Sequence, residues 1–342
     1  MCLKDMHLPP SALSSSLRIG NVEIRNRIAL APMSGVTDLP FRMLAWRFGA
    51  GLVVTEMVAS RELVCNAAES WARLKNSGIE PHIVQLAGRE AHWMAEAARI
   101  VESNGADIID INMGCPAKKV TGGYSGSALM RDPDHALSLV EATVRAVSVP
   151  VTLKMRLGWD ENSINAPLIA RRAEEVGVQA ITIHGRTRMQ FYSGKADWDA
   201  IHAVRDVISV PLIANGDVDT VADATEILRR SGADAVMVGR SSQGRPWHAG
   251  VLAGVRLHPD ALEIAQIFAE HYTTMLEFYG LQIGVRHARK HVGWYIERFA
   301  PNLSSADKAA ILTSTDPALV SERVAAAIAN CGVAPVREEM AA

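Results

Sequence analysis

Cys115 lies in the stretch DINMGCPAKKVTGGYSGSALM, Asp110 to Met130, which opens like a buried strand and then breaks into glycines, a proline and two lysines. A thiol between Gly114 and Pro116 in such a loop is poorly placed to fill a core. An unperturbed thiol has a pKa of about 8.5 and is mostly protonated at neutral pH, which suits a general acid. Lys118 and Lys119 would lower that value and favour a nucleophile, yet nothing local pairs the cysteine with a histidine. An inert structural cysteine is the alternative.

Other reactive or polar side chains recur where short apolar runs end: Met33 and Ser34, Glu56, Gln85, Asn112, Lys154 with Arg156, His184 with Arg186, Asn215 with Asp217, and Arg240. Gln85, Asn112, Lys154 and His184 supply cationic and neutral donors suited to the rim of a flat polar ring such as an isoalloxazine. In that arrangement Gln85 bonds the pyrimidine edge and Lys154 stabilises the reduced ring. The segments ANGDV and VGRSSQGRP carry Gly216, Gly239, Gly244 and Arg240, a combination able to hold a phosphate on backbone N–H groups and one guanidinium. The competing readings are a salt-bridged Lys154, a core His184 and glycines that only turn the chain. No GxGxxG follows the first apolar run, so a nicotinamide cofactor would have to visit rather than reside.

These residues need a frame that gathers strand ends. Eight short β-branched runs are followed by helical periodicity: Arg27–Met33, Leu52–Met57, His82–Gly88, Ile108–Gly114, Val151–Arg156, Ala180–Arg186, Pro211–Asp217 and Ala235–Arg240. Eight alternating units predict an α/β fold, a (β/α)8 TIM barrel whose site lies at the C-terminal strand ends. Between them Ala91, Met94, Ala95, Ala98 and Val101 form an apolar stripe of helical spacing, with Gly105 as a stop. Beyond about Arg256 only helical patterns remain, which predicts a small all-helical C-terminal domain. The expected division is a flexible segment over 1–16, a barrel over 17–256, a helical domain over 257–330 and a frayed end over 331–342.

Composition excludes several classes. The chain has 342 residues, 49% of them hydrophobic, enough for a full-sized core. A formal net charge of −2 does not fit a protein that simply coats nucleic acid, so any RNA contact needs a local basic face. The four cysteines are scattered without a CxxC pair, which suggests neither a disulfide framework nor a metal site. Without a long apolar run or a secretory leader, the expectation is a cytoplasmic protein with no membrane contact and no implied protein partner.

Taken in order, LAPMSGVTDLPFR, VQLAG, DINMGCPAKKV, GSAL, VTLKMRLGW, TIHGRTR, IANGDV, VGRSSQGRPW and RHARKHVGWY resemble the bacterial tRNA-dihydrouridine synthases, in particular the B subfamily, from about Leu17 to Pro301. The resemblance implies an FMN-binding barrel, NADPH as transient donor, tRNA as partner, and reduction of the C5=C6 bond of uridines in the D-loop. It further implies that Pro32, Met33 and Ser34 lie against the flavin, while Gln85, Lys154 and His184 bind its ring and ribityl region. Asn215, Gly216, Asp217, Gly239 and Arg240 would hold its phosphate end. Cys115 would be the proton donor to C5 and Asn112 a uracil contact, with Arg186 a candidate for charge developing near O4. The loop departs from several relatives at Gly122 and Gly123, where they carry bulkier or basic residues; the glycine-rich segment would act as a lid. In GVRHARKHVGWYIER, Arg286 and Lys290 would grip the tRNA backbone. Two other readings stay open: a flavin barrel acting on a free small molecule, and a non-catalytic RNA-binding regulator.

Overall fold

The computed structural model describes residues 12–331. The expectations of a flexible tail and a frayed end fall for the most part outside these residues. From residue 12 onward the chain is packed: Ala12–Ser14 forms a helical turn, Leu13 is buried, and its carbonyl accepts the Arg27 N–H at 2.9 Å.

Eleven strand segments follow: β1 (Leu17–Ile19), β2 (Val22–Ile24), β3 (Ile28–Leu30), β4 (Leu52–Val53), β5 (Val58–Ala59), β6 (Ile83–Ala87), β7 (Ile108–Met113), β8 (Val151–Arg156), β9 (Ala180–His184), β10 (Leu212–Asn215) and β11 (Ala235–Val238). β1 and β2 form an antiparallel hairpin, and the rest run parallel in the order β4-β3-β11-β10-β9-β8-β7-β6-β5. The two outer pieces belong to one strand. Val54 bridges Ile83, and the Thr55 N–H donates to the Ile83 carbonyl at 3.0 Å, so β4 runs on to meet β6 and the sheet closes. The expected second strand, Leu52–Met57, is thus broken in the middle, where Glu56 turns its carboxylate to the Gly35 N–H.

Side chains alternate across each strand, so one set of alternate residues fills the barrel. Ile83, Ile108, Ala180, Ile213 and Ala235 form an apolar floor with Ile19 and Ile24 of the hairpin, which plugs the N-terminal end. Burying each of these larger aliphatics contributes about 1.5–3 kcal/mol. One layer higher the interior turns polar, with Gln85, Asp110, Thr152 and Thr182 buried. The outer faces pack on helices such as Ala91–Ser103, whose buried stripe is Met94, Ala97, Ala98 and Val101; of the expected set Ala91 and Ala95 are only half-buried, and Ala97 is buried instead.

The C-terminal region is all-helical, as Ala261–Tyr279, Leu281–Phe299, Ser305–Thr313 and Pro317–Asn330. Its core, including Phe268, Tyr272, Val292 and Tyr295, is continuous with Leu44, Phe48 and Trp247 of the barrel. The Tyr279 hydroxyl donates to Asp38 at 3.0 Å, and Asp38 also caps the first barrel helix through the Phe41 N–H. No helix among the described residues is long and apolar enough to cross a membrane.

Candidate active site

The C-terminal strand ends surround a cavity of about 580 Å³. Its floor is made by Gln85, Asn112, Lys154, His184 and Asn215, and Pro32, Met33 and Ser34 line one side. The first-strand loop is held there by Thr37, whose hydroxyl accepts the Met33 N–H at 2.8 Å, and by the Glu56 carboxylate on Gly35. Across the mouth lie Gly216, Asp217, Gly239 and Arg240.

The floor is a hydrogen-bonded set. Lys154 Nζ donates to Asn215 Oδ1 at 3.3 Å, and Asn215 Nδ2 donates to the Met237 carbonyl at 2.7 Å. Asn112 Nδ2 donates to Gln85 Oε1 at 2.7 Å, while Asn112 Oδ1 accepts the N–H groups of Gly114 at 3.2 Å and Cys115 at 3.0 Å. Asn112 therefore spends both amide ends inside the protein and anchors the cysteine loop. Burial lowers the Lys154 pKa, a shift that Asp110 opposes, and it drives His184 well below the usual imidazole range, where Arg156 and Lys154 hold it neutral.

Cys115 is half-buried at the rim. Its carbonyl accepts from the Ser127 N–H at 3.1 Å and the Ser127 hydroxyl at 2.9 Å. Burial pushes the thiol pKa up, against the backbone N–H of Ala117 and the charges of Arg156 and Lys154. The cations facing it are thus Arg156 and Lys154 of β8, rather than the expected Lys118 and Lys119. A thiol with a raised pKa stays protonated at neutral pH and is a proton donor before it is a nucleophile. Within the loop Gly126 has φ +61°, and a Cβ there would meet the Cys115 carbonyl at 2.8 Å, so this turn needs glycine. Gly122, with φ −64°, has an ordinary backbone conformation, although a Cβ there would meet the Lys118 carbonyl at 2.9 Å.

Three expected residues have other work. Arg186 is buried and faces away from the cavity, paired with Asp217 through Nη1–Oδ1 at 2.9 Å and Nη2–Oδ2 at 2.5 Å, and bonded to the carbonyls of Ser193 and Gly194. Strand β9 ends at His184, and two residues later the chain has turned, which removes Arg186 from the inward-facing series. Asp217 gives its carboxylate to Arg186, to the Ala196 N–H at 2.8 Å and to Arg240 at 3.0 Å, so it aims Arg240 and does not itself face an anion. Burial would raise its pKa, but the Arg186 bonds, the Ala196 N–H and the two guanidinium charges hold it below the carboxylate norm. Gly244, with φ +72°, lies against Trp294, where a Cβ would meet the backbone at 3.1 Å; it seats the helical domain.

Arg156, Phe191 and Tyr192 line the cavity as well, and no motif or strand end in the sequence marks the two aromatic residues. Arg156 Nε donates to the Gly114 carbonyl at 2.9 Å, and its Nη1 reaches the carbonyls of Thr187 at 2.8 Å and Phe191 at 2.9 Å, joining the cysteine loop to the loop after β9. Phe191 has φ +54°, unusual for a bulky side chain, and Tyr192 stacks under Arg240 with 4.8 Å from guanidinium to ring centre. Arg286 and Lys290 lie outside the cavity on the exposed face of helix Leu281–Phe299. Lys290 leans over the mouth: a Cβ on Gly35 would meet its Nζ at 2.7 Å.

The family model of dihydrouridine synthase (Dus) matches residues 29–328, a span that holds both the cavity and the helical region. The chain belongs to the dihydrouridine synthase family. Membership makes it a flavin-dependent oxidoreductase. A probable tRNA-dihydrouridine synthase of Rhizobium leguminosarum bv. phaseoli is 74% identical over 303 residues, which cover 89% of this chain and 95% of that one. tRNA-dihydrouridine synthase B of Pseudomonas aeruginosa is 47% identical over 289 residues, 82% and 87% of the two chains. Among solved structures, a morphinone reductase variant in complex with tetrahydroNAD superposes with a TM-score of 0.51 at 16% identity, covering 74% of this chain and 93% of its own. Histamine dehydrogenase from Rhizobium sp. 4-9 gives 0.53 at 14% identity, covering 77% and 51%. These two likenesses concern the barrel fold alone.

Proposed function

We propose that this chain is a cytoplasmic tRNA-dihydrouridine synthase that binds FMN, draws on NADPH and reduces the C5=C6 bond of uridines in the tRNA D-loop, with Cys115 as proton donor. The observation that carries this reading is a half-buried thiol, its pKa pushed up by burial, on a glycine-turned loop at the rim of a cavity floored by Gln85, Lys154 and His184.

The cavity's donor set fits a flat ring with an anionic tail. Lys154 brings a positive charge to the floor, Gln85 keeps one amide N–H beyond the one it donates to Asp110, and Pro32, Met33 and Ser34 offer a narrow side wall. At the tail end Gly216 and Gly239 leave the backbone bare, and Asp217 holds Arg240 at 3.0 Å. When bound, FMN supplies the hydride that the uracil ring accepts, and NADPH restores it. Lys154 then favours negative charge on either ring, and Arg156 keeps Gly114 and Cys115 at the rim. Cys115 delivers its proton to C5, a step of the kind that contributes about 10²- to 10⁴-fold. The thiolate left behind faces Arg156 and Lys154, which stabilise it until it is reprotonated.

The tRNA contact rests on Arg286 and Lys290, exposed on a helix whose Lys290 overhangs the cavity mouth. The deciding experiment maps dihydrouridine in tRNA from cells with and without the gene. Loss of specific D-loop dihydrouridines on deletion supports the proposal, and an unchanged map would transfer the activity to a free small molecule.

A further inference from the structure

Of the buried carboxylates that the proposed reaction leaves unused, Asp38 caps a helix and Glu56 holds the Gly35 N–H, whereas Asp110 lies inside the barrel. Asp110 projects from the middle of β7 into the barrel, directly above the apolar floor, and is only 5% exposed. Its neighbours in register are Gln85 on β6 and Thr152 on β8. Each oxygen accepts one bond: Oδ1 from the Thr152 hydroxyl at 2.7 Å and Oδ2 from Gln85 Nε2 at 2.6 Å.

Burial raises the Asp110 pKa, but the Gln85 and Thr152 hydrogen bonds and the Lys154 charge oppose that rise; at neutral pH the ionised carboxylate only accepts hydrogen bonds, and that fixes everything above it. Gln85 must present its nitrogen to Asp110, so its oxygen faces Asn112. Asn112 must then give its nitrogen to Gln85, so its oxygen faces the loop, where it accepts the N–H groups of Gly114 and Cys115. Reversing either amide would set two donors or two acceptors against each other in a site shielded from water, at about 1–3 kcal/mol for each group left unmatched. None of the side-chain atoms of Asp110, Gln85 or Asn112 is among the buried, unpartnered polar atoms of the described residues.

We propose that Asp110 is a positioning residue whose carboxylate sets the direction of the Gln85 and Asn112 amides and through them holds the Cys115 loop at the rim of the cavity. The inference rests on the reading of Cys115 as proton donor, but it concerns the flavin-free protein and can fail independently. The charged groups around the relay are Lys154, which faces both Asp110 and Cys115, and Arg156, which faces Cys115.

The test is the pH profile of Cys115 alkylation by iodoacetamide in flavin-free protein whose Cys2, Cys65 and Cys331 are serine. Asp110→Ala removes the acceptor and frees both amides to turn. The loop loses its anchor, the thiol gains water, and its pKa falls. Alkylation at neutral pH should rise about threefold or more, the gain in thiolate when the pKa drops by about half a unit. Asp110→Asn can still accept from Gln85 through Oδ1 while donating to the Thr152 hydroxyl, so it should keep the wild-type profile although it lacks the charge. If Asp110→Ala does not fold, Gln85→Leu cuts the relay at its next link with little change in volume and should raise the rate in the same way. Wild-type alkylation in folded Asp110→Ala or Gln85→Leu overturns the proposal. So does an Asp110→Asn profile that moves as far as that of Asp110→Ala, because charge rather than amide direction would then control the thiol. A failed proposal here would leave the tRNA dihydrouridine map unchanged, and the two readings are thereby separable.

Discussion

On the proposed mechanism the Cys115 thiol must keep its proton until substrate arrives; burial pushes its pKa up, while the charges of Arg156 and Lys154 pull it down and would ease release. Lys154 is subject to the reverse pressure: burial works to discharge it, and Asp110 beneath it keeps it charged. Flavin affinity in the wild type should therefore fall as pH rises through the lowered lysine pKa, well before the value of about 10.4 expected of a free lysine. Lys154→Met should weaken FMN binding by about tenfold, equivalent to about 1.4 kcal/mol, and flatten that pH dependence. Fluorescence titration of FMN across pH checks both, and a Met variant with wild-type affinity and slope would displace Lys154 from the ring site. Arg186 is bonded to Asp217 and lies outside the cavity lining. Arg186→Met leaves Asp217 without its main partner, and since Asp217 keeps partial access to water the cost should be about 1–3 kcal/mol, below that of breaking a fully buried pair. Thermal unfolding measures it, with FMN affinity falling secondarily as Arg240 loses its aim.

At the scale of elements, the eight runs of the barrel were legible because a strand buried on both faces must be apolar nearly throughout. Inward polar residues were legible too, at Gln85, Asn112, Lys154 and His184, since alternation continues to the strand ends. What was not legible depended on distant partners. Glu56 breaks the second strand to reach Gly35, and Arg156 and Arg186 look alike in the sequence until the turn after His184 sends only one of them outward. The helical domain hid a further feature. His271 and His291 are buried with ring centres 4.8 Å apart, and burial lowers both pKa values, that of His271 to about 4, against a weak opposing pull from Glu270; Lys290 and His287 push His291 the same way as burial. In the unfolded chain each binds a proton near pH 6.5, so between that pH and about 4 the unfolded state holds more protons than the folded one. Stability is then fully present above that window and is lost as pH falls through it, by up to about 1.4 kcal/mol per pH unit for each histidine. Melting curves over this range should steepen for the wild type and flatten in His271→Leu. An identical slope in the variant would assign the acid sensitivity to other groups.

The whole molecule joins a nearly neutral barrel to one basic helix whose Lys290 reaches the loop beside its mouth, and on the proposed reading this helix is the local basic face that a chain of net charge −2 needs for tRNA. Arg286→Glu should weaken tRNA binding and reduce the slope of log affinity against log salt by about 0.7–0.9, the share of one phosphate that is no longer neutralised, with FMN affinity unchanged. Arg286 is a cleaner probe than Lys290, whose ammonium sits against the Gly35 loop beside the cavity. Filter binding at several salt concentrations decides it, and an unaltered slope would remove this helix from the RNA surface. On the proposed mechanism Cys115 acts only when the uracil ring is reduced, after the flavin has been charged. Its most direct test is a single-turnover reaction of Cys115→Ala, loaded with FMN and reduced with NADPH before tRNA is added. The expected result is wild-type flavin content, wild-type reduction by NADPH, and dihydrouridine formation slowed about 10²- to 10⁴-fold. Dihydrouridine forming at close to the wild-type rate in that variant would contradict it.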